Sequence, residues 1–189
     1  IGNGLQEQYK KLMKTSMDIL LMISMPAAIG MICTSDILIL LFSGKEFLVG
    51  SLAAKILSAK VVVSAINRVL AYQVCTPYKM DKEVLISTAS GAIFNLFANA
   101  ILIPIAGVTG ASVATLLSEI IVFCVLSKYA KEVLDTRKLY DRIWIYGAIS
   151  ILFVFVRMIM NRLLESSVLC LGGTMSVCVV LYAMILLII

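Results

Sequence analysis

The 189-residue sequence has no histidine, only one tryptophan and three prolines, and just 14% charged side chains. Without an imidazole there is no Ser/His or Cys/His nucleophile pair, no ordinary general base near neutral pH and little from which to build a zinc site. Conventional hydrolase chemistry is therefore set aside, and the chain is not expected to be an enzyme. The five cysteines, Cys33, Cys75, Cys124, Cys170 and Cys178, lie singly in or beside apolar runs, without a CxxC pair. They read as packing residues rather than a disulfide framework or a redox motif. No glycine-rich phosphate loop, HExxH sequence or paired-carboxylate motif is present, so neither a metal nor a cofactor is expected.

What is abundant is apolar. Hydrophobic residues make up 61% of the chain and the mean hydropathy is +1.05, whereas a soluble domain has roughly 45–50% apolar and about 25% charged residues. An all-α integral membrane protein follows. The net charge of +5 then matters for which side of the membrane each charge lies on, and nucleic acid is not an expected partner.

A hydrocarbon core of ~30 Å calls for ~20 residues per helix. Helix A is expected from Ile19 to Phe42, bent at Pro26 because the missing N–H frees a carbonyl one turn earlier, and ended by Ser43-Gly44-Lys45-Glu46. Helix B runs from about Phe47 to Tyr72. Val84 to Ser118 is a run of 35 uncharged residues, ~52 Å as one helix and too long for one crossing. It must fold back near Pro104, Gly107 and Gly110, giving helix C (Ile86 to Ile103) and helix D (about Val108 to Leu126). Helices E (about Ile143 to Ile159) and F (Ser166 to Ile189) complete a six-helix transmembrane bundle.

The basic residues alternate with these spans. Lys10, Lys11 and Lys14 precede A; Lys79 and Lys82 separate B from C; Lys128, Lys131, Arg137, Lys138 and Arg142 separate D from E. The other loops offer only Lys45 and Arg162. The positive-inside rule places both termini in the cytoplasm of a multi-pass protein of the cytoplasmic membrane. Residues 1–15 then form a cytoplasmic segment, 16–127 a four-helix core, 128–142 a cytoplasmic loop and 143–189 two further spans.

Four cations remain inside spans: Lys55, Lys60, Arg68 and Arg157. Each costs roughly 2.5 to 3.5 kcal/mol at a helix centre unless it finds a partner, water or the surface. Lys55 and Arg68 lie near opposite ends of helix B and can snorkel, as can Arg157 near the outer end of helix E. Lys60 lies at mid-span and cannot. Lys60, Ser64, Asn67 and Arg68 fall within one quadrant of helix B, a polar stripe that implies either a lined cavity or an intramembrane ion pair. Glu119 on helix D, with Ser112 and Thr115 on its face, is the acidic counterpart: a coupling site for a proton or cation, or a salt bridge to Lys60 or Arg68. Asn95 and Asn99 on helix C form an i, i+4 amide ladder, either interhelical glue or substrate ligands. Asp36 is expected to face an outer vestibule.

Several stretches together resemble a known family: Pro26-Ala27-Ala28-Ile29-Gly30; Leu40-Leu41-Phe42-Ser43-Gly44-Lys45-Glu46-Phe47; Asn95-Leu96-Phe97-Ala98-Asn99-Ala100-Ile101-Leu102-Ile103-Pro104; and Gly107-Val108-Thr109-Gly110-Ala111-Ser112-Val113-Ala114-Thr115. The chain resembles the C-terminal half of the polysaccharide flippases, the Wzx-type oligosaccharide-lipid transporters. These share a superfamily with multidrug extruders and peptidoglycan-precursor flippases. The likeness covers about Leu12 to Ser127. It implies a two-lobed transporter with a central cavity, a preceding N-terminal lobe, and undecaprenyl-pyrophosphate-linked sugar repeat units moved between leaflets by alternating access. Lys60 and Arg68 would attract the pyrophosphate, with Ser64, Asn67, Asn95 and Asn99 beside them. Two alternatives stand: a multidrug or cation antiporter half, which would want an acidic cavity, and a membrane-embedded transferase or polymerase of lipid-linked sugars, which would want larger outer loops.

Overall fold

A computed structural model of the chain describes residues 3–134 and 139–163, together with positions 172, 173, 176, 177, 180 and 182. Among the described residues the chain is almost wholly helical and contains no strand. Helix α1, Asn3–Phe42, carries Pro26 inside it. A 3₁₀ turn, Lys45–Gly50, leads into α2, Ser51–Arg68, which runs on through a π-helical turn, Val69–Cys75, and a 3₁₀ turn, Thr76–Tyr78.

The next helical element, Asp81–Val133, spans 53 residues, ~80 Å if straight. It is broken at Gly107, where φ is 54° and ψ is −130°, a conformation open to glycine and costly for any residue with a Cβ. The arms on either side, α3 (81–106) and α4 (108–133), lie antiparallel. A Cβ on Gly110 would collide with the Leu102 carbonyl oxygen, one on Gly91 would collide with Val122 Cγ2, and Asn95 bonds to Ser118. Each pair sums to about 213 in residue number, the signature of a hairpin in constant register. Fold-back at the Pro104–Gly110 corner is thus as expected. Each arm rises ~39 Å, enough for one crossing. Helix α5, Ile143–Leu163, follows and packs on α1.

Three of these helices are long and apolar enough to cross a membrane: Glu7–Phe42, Lys45–Tyr78 and the Asp81–Val133 hairpin. In each, only 17% of the most apolar stretch is buried within the chain. Leu52, Ile93, Phe97, Ile101, Ile105 and many similar side chains are left outward, a surface suited to acyl chains rather than water. The buried core gathers at one end. Met13, Met17 and Leu21 of α1 meet Ile66, Val69, Leu70 and Val74 of the α2 continuation, Leu126 and Ala130 of α4, and Leu139 and Tyr146 beyond.

Two prolines shape the helices, and in both cases a distant tyrosine completes the backbone. Pro26 cannot bond to the Met22 carbonyl one turn earlier; the Tyr182 hydroxyl donates to that oxygen at 2.6 Å. Pro77 likewise leaves the Gln73 carbonyl without its usual donor, and the Tyr9 hydroxyl donates to it. A freed carbonyl in a low-dielectric interior costs a few kcal/mol unless satisfied.

Helix α1 begins well before Ile19, so Lys10, Lys11 and Lys14 sit on the same continuous helix rather than on a separate segment. Helix F lies outside the described residues except for six helical positions, and so do Arg137, Lys138, Cys170, Cys178 and the Arg162 side chain.

Candidate functional site

The polar quadrant read from helix B faces α3 and α4. Lys60, Ser64, Asn67 and Arg68, continued by Ala71 and Tyr72 of the π turn, form one wall of a cavity of about 630 Å³. Thr88, Gly91, Asn95 and Asn99 of α3, with Thr115, Ser118, Glu119 and Val122 of α4, form the others. Every residue singled out in the sequence as a substrate or coupling site therefore lines the same space. The opposite face of α2 and its continuation, with Ile66, Val69, Leu70 and Val74, is packed into the core. That packing fixes the direction in which the polar stripe points.

Lys60 at mid-span, Asn99 and Thr115 lie at one end of the lining; Tyr72, Val84 and Leu126 lie at the other. The second end lies toward the turn that carries Lys79 and Lys82, and the corner of the hairpin, from Ala100 to Ala114, takes no part in the lining. Arg68, toward that second end, is exposed.

Lys60 Nζ lies 3.5 Å from Glu119 Oε1, with the side chains 30% and 25% exposed. The pair is partly exposed, and both residues line the cavity. Glu119 is held mainly by a different group: Asn67 Nδ2 donates to Glu119 Oε2 at 2.8 Å and to its main-chain oxygen at 3.0 Å. On the facing wall Asn99 Nδ2 donates to Asn95 Oδ1 at 2.8 Å, and Asn95 Nδ2 to Ser118 Oγ at 3.3 Å. The ladder thus ties α3 to α4 while presenting its amides to the cavity. Three oxygens on lining residues, Ser64 Oγ, Asn67 Oδ1 and Asn99 Oδ1, are buried without a hydrogen-bond partner among the described residues. Such groups are costly unless a donor reaches them.

Both readings of the stripe hold at once, since Lys60 is ion-paired and also faces an open space. Arg68 is not Glu119's partner. Ser112, expected beside Glu119, is buried, bonds back to the Thr109 carbonyl and is not among the lining residues. Thr88, Gly91, Tyr72 and Ser118 are additional lining residues. The small and polar run Thr88, Gly91, Ala92, Asn95, Asn99 recurs at helical spacing, and that periodicity is the signal that could have placed Thr88 and Gly91.

A second polar cluster ties α1 to α2 at the other end. Lys55 Nζ donates to Asp36 Oδ2 at 2.8 Å and Oδ1 at 3.0 Å, and Ser51 Oγ donates to Asp36 Oδ1. Arg157 of α5 is within electrostatic reach of Asp36. Lys55 is therefore paired rather than snorkelling alone, and Asp36 is its counter-ion. The two lie nearly equidistant from the connecting turn, which brings them level. Cys75 is fully buried in the core, as a packing residue would be, whereas Cys124 is exposed. No three metal-ligating side chains come together among the described residues.

Compared with family models, with curated proteins and with solved structures, the chain finds no match.

Proposed function

We propose that this chain is the C-terminal part of a flippase. It carries undecaprenyl-pyrophosphate-linked oligosaccharide repeat units across the cytoplasmic membrane by alternating access, for O-antigen, capsule or exopolysaccharide biosynthesis, without covalent chemistry. In this reading six helices form one lobe of a two-lobed transporter, both termini are cytoplasmic, and an N-terminal lobe completes the passage. The observation that carries it is the convergence of Lys60, Ser64, Asn67, Arg68, Asn95, Asn99 and Glu119 on one cavity of about 630 Å³ between apolar helices, within the size range of small-molecule sites.

Charge favours an anion. Two cations, Lys60 and Arg68, face one acid, Glu119, so the lining carries a net charge of +1. The hydroxyl and amide side chains of Ser64, Asn67, Asn95 and Asn99 along the lining are of the kind that pairs with sugar hydroxyls. One end of the lining lies toward the basic turn at Lys79 and Lys82, which in this reading is the cytoplasmic side, where the headgroup would load. The lipid chain would remain among the outward apolar side chains.

Glu119 supports a second reading, a multidrug or cation antiporter half, in which the acid holds a cation or proton. Its engagement by both Lys60 and Asn67 weighs against that role. The test is Lys60→Ala in the intact protein. Loss of surface polysaccharide with normal membrane levels supports the flippase reading; normal polysaccharide from a well-expressed variant overturns it.

A further inference from the structure

We propose that Glu119 is a charge filter that reserves the cavity for polyvalent anions and keeps out the singly charged phosphodiester heads of ordinary membrane lipids. The inference rests on the anionic substrate read above and adds to it a residue that sets specificity.

A cavity walled by Lys60 and Arg68 and opening between apolar helices is exposed to every anionic headgroup in the same leaflet. Two bare cations would attract any of them. Among the described residues Glu119 is the only acid lining the space, and the remaining titratable lining groups are Lys60, Arg68 and Tyr72, all contributed by α2 and its π turn; α3 contributes none. The carboxylate is not an accidental neighbour of Lys60. Asn67 clamps both its Oε2 and its main-chain oxygen, and Asn67 is itself only 6% exposed. The position of Glu119 is therefore fixed by α2 independently of Lys60.

The ion pair itself is loose. At 3.5 Å, the Lys60–Glu119 separation exceeds the ~2.7–2.9 Å of a charge-assisted hydrogen bond. The ammonium thus keeps its donors for another acceptor, but any anion that takes them stands beside a fixed negative charge. A monoanion gains one attraction and meets one repulsion of similar range. A pyrophosphate-like group gains more, because its several charged oxygens engage Lys60 while extending toward Arg68, two turns or ~12 Å along the helix.

The test uses the full chain in lipid nanodiscs and titrates inorganic pyrophosphate. It compares discs of phosphatidylcholine alone with discs containing the monoanionic lipid phosphatidylglycerol. Wild-type binding should change less than about twofold between the two discs, whereas Glu119→Gln should bind tightly in phosphatidylcholine and lose about tenfold when phosphatidylglycerol is present. Glu119→Asp should behave as wild type, and Glu119→Ala, an independent neutral variant, as Glu119→Gln. Insensitivity of both neutral variants to phosphatidylglycerol, with pyrophosphate binding still dependent on Lys60, overturns the filter and leaves the flippase reading standing. Wild-type pyrophosphate binding that survives Lys60→Met unchanged overturns both.

Discussion

Asn67 on α2 holds Glu119 on α4 by two hydrogen bonds from one amide nitrogen, 2.8 Å to the carboxylate and 3.0 Å to the main-chain carbonyl. It therefore joins the wall that carries the cations to the wall that carries the acid. Bonds to a charged group contribute more than neutral ones, because losing one partner strands a carboxylate in a poorly solvated place.

Asn67→Leu should destabilise the protein by about 2 kcal/mol. Asn67→Asp should cost more, since it sets two carboxylates side by side. Thermal unfolding in one detergent, with ligand absent, measures both. A melting temperature unchanged in Asn67→Leu would show that the clamp holds nothing.

The hairpin makes a sharper packing prediction. Gly91→Val forces a side chain into Val122 Cγ2, which already occupies the place its first carbon would need. Overpacking of this kind costs roughly 1–3 kcal/mol. Trimming the nearest obstruction with Val122→Ala should recover part of the loss, because that obstacle is a side-chain methyl, while the Ser118 main-chain oxygen, 3.1 Å from the same carbon, stays. Gly110→Ala has no such rescue, since its obstacle is the Leu102 main-chain carbonyl. Unfolding midpoints of the single and double variants decide the matter.

The tyrosine caps on proline-freed carbonyls lend themselves to a double-mutant cycle. Tyr182→Phe removes the donor to Met22 and should cost about 1 kcal/mol. Pro26→Ala restores the N–H that bonds to that carbonyl within the helix. In the Pro26→Ala background, Tyr182→Phe should therefore cost almost nothing. Equal costs in the two backgrounds would mean that the hydroxyl acts elsewhere.

Much of the helical layout was legible because its signals are one-dimensional. The fold-back of residues 84–118 follows from their length against the thickness of a bilayer, and Gly107 is the residue at which a positive φ is tolerated. The stripe Lys60, Ser64, Asn67, Arg68 was readable from 3.6-residue spacing, as was the Asn95–Asn99 ladder. What spacing cannot give is the partner across a gap. The bonding of Asn67 to Glu119, the pairing of Lys55 with Asp36 and the capping of Met22 by Tyr182 join residues 52, 19 and 160 positions apart. Each depends on how whole helices pack. Ser112 shows a limit along a single helix: spacing puts it on the face of Thr115 and Glu119, but it lies in the stretch 100–114, beyond the end of the lining.

Access of water to position 60 is the property on which the transport proposal turns. With all five native cysteines replaced, Lys60→Cys in the intact protein should react with a membrane-impermeant thiol reagent applied from the cytoplasmic face. Arg68→Cys, at an exposed position of the same lining, should react faster. If the Lys60→Cys protein fails to react from either face while the Arg68→Cys protein does react, the polar stripe ends in a closed ion pair and no passage reaches the middle of the membrane.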